Sequence, residues 1–98
     1  MGMSYEISVD AQTDIDDLYA WSLLNFGVLQ ADRYLDSLYD CFSMLCEHPQ
    51  SGKNVDEIVP GACRHTHQEH VVYYKPISPL LVLRVLGGAQ EPLKQFKP

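Results

Sequence analysis

Residues 63–86 read CRHTHQEHVVYYKPISPLLVLRVL, and this stretch decides the fold. It divides into three runs rich in β-branched and aromatic residues: Cys63 to Gln68, His70 to Lys75 and Leu80 to Leu86. Only Glu69 and the Pro76 to Pro79 segment separate them. Separators this short leave no room for a crossover helix, so the spacing predicts an antiparallel meander. Leu80-Leu81-Val82-Leu83 is apolar at every position, the pattern of a central strand covered on both faces.

Upstream of the meander, Val55, Ile58 and Val59 lead into the turn dipeptide Pro60-Gly61, and Gln50-Ser51-Gly52 forms another break. Before that break the period changes from two to about 3.6. Ala31, Tyr34, Leu35, Leu38, Phe42 and Leu45 recur at spacings of three and four, and Pro49 ends the run. Ile15, Leu18, Tyr19, Ser22 and Phe26 trace a second such face, with Gly27 suited to the left-handed residue that closes a helix. With so little chain between them, the two helices are expected to fold back as a hairpin. Asp10 is the expected N-cap of the first helix, and Tyr5, Ile7 and Val9 alternate with Glu6, Ser8 and Asp10 as a short half-buried strand. The predicted order is βααβββ: an α+β fold with a helical hairpin on a small, mainly antiparallel sheet.

A chain of 98 residues has room for one core, so residues 1–98 are expected to form a single domain. Its 46% hydrophobic and 20% charged composition is that of an ordinary globular protein. No stretch reaches the length of apolar sequence a membrane span needs, and Met1 to Val9 lacks a signal-peptide pattern, so the expected location is the cytoplasm. Cys41, Cys46 and Cys63 match neither C-x-x-C nor a zinc-ligand spacing, and Cys41 and Cys46 read as small apolar fillers of a helix. Neither a metal nor a cofactor is expected.

The net charge of −6 argues against direct, specific nucleic-acid binding, yet it hides an asymmetry. Residues 1–49 hold nine acids against Arg33 alone, a balance of −8, whereas residues 50–98 hold six bases against four acids, a balance of +2. The hairpin is acidic and the basic side chains fall on the sheet and tail. Arg64 and Arg84 admit two readings: guanidinium groups that clamp a phosphate or carboxylate, or strand charges paired with helix acids. His65, His67 and His70 could add an acid or base, or serve as surface or hydrogen-bonded core residues.

Several short motifs occur in a familiar order. Asp17-Leu18, Phe26-Gly27 with Gln30-Ala31, Tyr34 with Leu38, and Leu45 through His48-Pro49 to Gly52 come first. Pro60-Gly61 with Arg64, His70-Val71-Val72-Tyr73-Tyr74 and Leu83-Arg84-Val85-Leu86 follow. Together they span Tyr5 to Leu86, and the set resembles the ParE branch of the RelE/ParE toxins, the plasmid stabilisation family.

That resemblance implies the RelE/ParE-like fold and a toxin encoded beside a small antitoxin. ParE proteins are gyrase poisons, whereas their RelE relatives cleave mRNA on the ribosome with basic and proton-transferring side chains. Phosphodiester cleavage needs a general base, cationic stabilisation and a general acid. Arg64 and Arg84 sit where the family's sheet arginines fall, but the histidine that usually follows the second is replaced here by Gly87-Gly88. No catalytic residue is therefore assigned. Gly87-Gly88 reads as a flexible joint for a tail over about 88–98, able to dock through Leu93 and Phe96.

The expected activity is binding and poisoning of DNA gyrase, with Arg64, Arg84, Lys94, Phe96 and Lys97 as contacts. The expected partner is a ParD-like, ribbon-helix-helix antitoxin that engages Trp21, Phe26, Tyr34 and Tyr39. Two alternatives remain open at this point: a RelE-like, ribosome-dependent mRNA endoribonuclease, and a non-toxic homologue that only binds an antitoxin.

Overall fold

The structure is a computed structural model that describes residues 4–96. Strand β1 (Tyr5–Ile7) leads into helix α1 (Val9–Phe26), and Gly27 alone joins α1 to α2 (Val28–Glu47). Its φ of +86° lies in the left-handed region, where a side chain would clash with the backbone, so glycine is what lets one residue reverse the chain. A 3-10 turn at Pro49–Ser51 precedes strands β2 (Lys53–Asn54), β3 (Cys63–His67), β4 (His70–Lys75) and β5 (Leu80–Gly87), and a short helix α3 (Pro92–Gln95) follows.

The five strands form one sheet in the order β1-β5-β4-β3-β2. β3, β4 and β5 make the expected meander, and only β1 runs parallel to its neighbour, β5. The α+β architecture of a helical hairpin on a mainly antiparallel sheet is borne out. β2 is an addition: both its residues are exposed, so it carries no apolar period by which a sequence could announce it.

The start of α1 is a correction. Ser8, not Asp10, is the N-cap, its Oγ accepting from the Ala11 amide at 3.0 Å. The same hydroxyl donates to the Leu83 carbonyl at 2.8 Å, and the Ser8 amide donates to the Val82 carbonyl at 3.0 Å. Ser8 thus ends β1 and caps α1 at one position, which places Val9 inside the helix rather than in the strand. A cap of this kind contributes about 1 kcal/mol.

The hairpin covers one side of the sheet. Ala11 and Ile15 of α1 and Leu38, Phe42 and Leu45 of α2 pack onto Val72, Tyr74, Leu80, Val82 and Val85. A second cluster occupies the opposite side, where Val55 and Ala62 of the β2–β3 segment and Phe96 of the tail cover Tyr73, Leu83 and Leu86. The apolar run of β5 is therefore covered on both faces, as its composition predicts. A bulge makes this possible: Tyr73 pairs with Arg84 but Tyr74 pairs with Val82, leaving Leu83 as an extra residue. The insertion inverts the alternation of β5, so that Val82 and Val85 both face the hairpin.

Candidate functional site

Residues directly opposite each other in paired strands project to the same side. Lys53 pairs with Arg64, Arg64 with Tyr73, and Tyr73 with Arg84. These four form a single row across β2, β3, β4 and β5, about 14 Å long at the usual strand spacing. Tyr73 belongs to the second cluster, so the row lies on the side of the sheet away from the acidic hairpin. Lys75, two residues along β4 from Tyr73, shares that side. The sequence asymmetry in charge is thus an asymmetry of opposite faces.

The two arginines of the row differ in freedom. Arg64 is exposed. Arg84 wraps the edge of β5 beyond the end of β1 and meets Asp14 of α1 at two points, Nε to Oδ2 at 2.7 Å and Nη2 to Oδ1 at 2.8 Å. Asp14 Oδ2 also accepts from the Val85 amide at 2.9 Å, and Arg84 Nη1 donates to the Gln95 carbonyl at 3.0 Å. The hydrogen bonds it donates to Asp14 push the Arg84 pKa up, keeping it firmly charged. Arg84 therefore ties α1, β5 and the tail together, the helix-acid pairing that was one of its two readings.

The histidines lie on the other side of the sheet. His65 pairs with the core residue Val72, and His67 pairs with His70 at the β3–β4 turn. The Tyr34 hydroxyl shares a hydrogen bond of 2.7 Å with His70 Nδ1 and donates to the His67 carbonyl at 3.3 Å. Ser37 Oγ donates to the Tyr34 carbonyl at 2.7 Å, leaving its lone pairs for His67 Nε2 at 3.0 Å. Burial holds both histidines below the ordinary value and pushes the Tyr34 pKa up to about 12. The network is neutral at physiological pH and hydrogen-bonded from α2 to the sheet.

Beside this network runs a groove of about 620 Å³ between the hairpin tip, the β3–β4 turn and the end of β5. Trp21 and Phe26 line it from α1, their rings edge to face with centroids 5.5 Å apart, and both remain 58–60% exposed. Phe26 departs from its helical spacing, which placed it on the buried face. Residues 24–30 are all exposed, because the hairpin tip extends beyond the packed layer. Leu24, Val28 and Leu29 add exposed apolar surface there, the kind of patch that marks a docking site. Among the described residues, no group of three His, Cys, Asp or Glu side chains is placed to hold a metal ion.

Residues 5–92 match the family model described as the ParE toxin of the type II toxin-antitoxin system, parDE. The chain belongs to the ParE toxin family. It is 33% identical over 82 residues to Toxin ParE1 of Caulobacter vibrioides, a match covering 84% of this chain and 85% of that one. It is 28% identical over 75 residues to Toxin ParE1 of Mycobacterium tuberculosis, covering 76% of each. A solved structure, the chromosomal ParDE TA system from P. aeruginosa, shares the fold at a TM-score of 0.73 and 18% identity, covering 88% of this chain and 96% of that one. The resemblance carried by the hairpin and sheet motifs is borne out, and a toxin of a type II toxin–antitoxin system is the established class.

Within this ParE-family fold, Arg64 and Arg84 share a row, and the tail crosses the same side. Phe96 stacks edge to face on Tyr73 with centroids 5.3 Å apart, whereas Leu93 and Lys94 point to solvent. Lys97 lies outside the described residues. Trp21, Phe26 and Tyr34 gather at the groove. Tyr39 stands apart, half-buried against Phe42 at the edge of the first core. Sequence reasoning missed Leu24, Val28 and Leu29 and the groove position of Glu69. The available signal was that Leu24 and Leu29 fall off the buried helical stripes; Val28 continues the α2 stripe and is exposed only because the hairpin tip extends beyond the packed layer.

Proposed function

We propose that this ParE-family toxin acts in the cytoplasm by binding DNA gyrase, a type II topoisomerase, and poisoning it on DNA. A cognate ParD-like antitoxin of ribbon-helix-helix type keeps it silent. One observation carries the reading: the arginines and the histidines lie on opposite sides of the sheet. Arg64 faces away from the hairpin with Lys53, Lys75 and the tail, while His65, His67 and His70 face α2. RNA cleavage needs cation, base and acid around one phosphate. A cationic, aromatic face whose neighbouring histidines all lie on the other side of the sheet suits binding instead, with Arg64, Lys94, Phe96 and Lys97 as the contacts and Arg84 holding the tail in place. The antitoxin would dock on the hairpin through Trp21, Phe26 and Tyr34, with Tyr39 at the margin.

The test is expression of the chain alone in a bacterial host. Growth arrest with accumulation of gyrase-linked DNA breaks, relieved by co-expressing the product of the adjacent reading frame, is the expected result. Unimpaired growth would favour a non-toxic homologue, and defined mRNA cuts on ribosomes would overturn the gyrase reading.

A further inference from the structure

The groove at the hairpin tip combines two features that an apolar docking site does not need. Its aromatic residues come from two helices, Trp21 and Phe26 of α1 and Tyr34 of α2, and they present ring surface to one space. Glu69 is the one charged residue among the described residues lining that space. Its carboxylate has no hydrogen bond or ion pair among the described residues, while its carbonyl is fixed by the Gly88 amide at 3.1 Å. Aromatic faces attract cations through their quadrupole, and an unpaired carboxylate beside them supplies the counter-charge.

We propose that this groove is a receptor for an arginine side chain carried by the antitoxin. The guanidinium would stack on Trp21 and Phe26 and meet Glu69, while the residues flanking the arginine cover Leu24 and the exposed edge of Tyr34. A planar guanidinium stacks on an aromatic face better than an ammonium, which favours arginine over lysine. Nothing in the groove competes with the incoming charge, since burial holds His70 neutral. The acidic hairpin around the groove, with Asp17 one helical turn from Trp21, draws a cationic segment toward it. The proposal rests on the reading of the chain as an antitoxin-bound toxin, and names what the antitoxin inserts.

Trp21 is the sole tryptophan, so its emission reports on the groove directly. Titration of the full chain with N-acetylarginine amide at constant ionic strength is expected to shift that emission saturably in the millimolar range. The neutral isostere N-acetylcitrulline amide is expected to bind about tenfold more weakly or not at all. Glu69→Gln and Phe26→Ala, both at exposed positions, should each weaken the arginine probe by about tenfold with unchanged circular dichroism. The same variants should weaken binding of the adjacent reading frame's product. No saturable shift, or equal shifts with both probes, overturns the proposal. If that product binds wild type and both variants equally, the arginine site is wrong while the antitoxin reading stands. If it fails to bind wild type, the antitoxin reading itself fails.

Discussion

Arg84 and Asp14, 70 residues apart in sequence, meet through two hydrogen bonds of 2.7 and 2.8 Å, and their side chains are only 15% and 12% exposed. The contact sits where β1 stops after Ile7 and leaves the far half of β5 without a strand on that edge, β4 being its partner on the other. Asp14 accepts the free Val85 amide there, while Ser8 takes the Leu83 carbonyl. Asp14 of α1 and its N-cap Ser8 thus complete an edge that would otherwise present unpaired backbone groups.

Removing either partner leaves the other charge poorly solvated. Asp14→Ala is expected to lower stability by about 2–4 kcal/mol, and Arg84→Ala by somewhat less, since only Asp14 also serves the β5 backbone. Urea denaturation of both single variants and the double variant checks this. The double variant should fall short of the sum by about 1–3 kcal/mol, the signature of a direct pair.

Tyr74 is fully buried, yet its hydroxyl is satisfied twice, donating to the Pro49 carbonyl at 2.8 Å and accepting from the Gly52 amide at 3.0 Å. Tyr74→Phe strands both groups and is expected to cost about 1–3 kcal/mol. Gly52→Ala would drive a methyl group into the Tyr74 hydroxyl and to 2.8 Å from the Arg64 carbonyl. It should cost a similar amount, about 1–3 kcal/mol, from crowding. Combining the two relieves only part of that clash, because the Arg64 carbonyl remains. Thermal unfolding of the three variants tests both costs and the partial relief in the double variant.

The Tyr34–His70 network carries a pH dependence with a definite sign. His67 is held below the ordinary 6.5 first by burial and then by His65; His70 is held below it by burial, with Glu69 opposing and His67 adding to the depression. In the window below 6.5 the unfolded chain binds protons that the native chain refuses. Stability is therefore full above about 6.5 and falls as the pH drops through that window. Denaturant midpoints at pH 7.5 and 5.5 should differ in wild type and differ less in the His67→Gln/His70→Gln variant. On the alkaline side, Tyr34 is raised from 10.0 to about 12, so its neutral form favours folding and stability falls as the pH rises past 10.0.

Phe96 joins the tail to the sheet through Tyr73. Phe96→Ala is expected to cost only about 1 kcal/mol, because the aromatic contact lies at the margin of the second cluster. Its effect on the tail should be larger: proteolysis after Lys94 should accelerate several-fold relative to wild type, while Leu93→Ala, at an exposed position, should leave the rate unchanged.

The order of the elements was legible because each carries its own period. The helical stripes through Ile15 and Leu38 and the β runs around Val72 and Val82 depend on local chain alone. What escaped depends on neighbours. Asp10 and Ser8 are both good caps in isolation, and Ser8 prevails because β5 places the Leu83 carbonyl beside it. β2 exists only through its pairing with Arg64 and Cys63. Alternation alone separates Arg64 from His65 and His67, but which side faces the hairpin is set by the register with Val72 and Tyr73. The groove was least visible, since Glu69 and Trp21 lie 48 positions apart and line one space only once the hairpin has folded over the sheet.

The grip proposed on gyrase runs through the sheet face bearing Arg64. The direct measurement is supercoiling of relaxed plasmid by purified gyrase, with wild type, Arg64→Ala and Glu69→Gln chains added in turn. Wild type and Glu69→Gln should block supercoiling and accumulate cleaved DNA, while Arg64→Ala, folded by circular dichroism, should lose at least about tenfold in potency. Undiminished supercoiling with wild type, or equal potency of Arg64→Ala, would contradict the account.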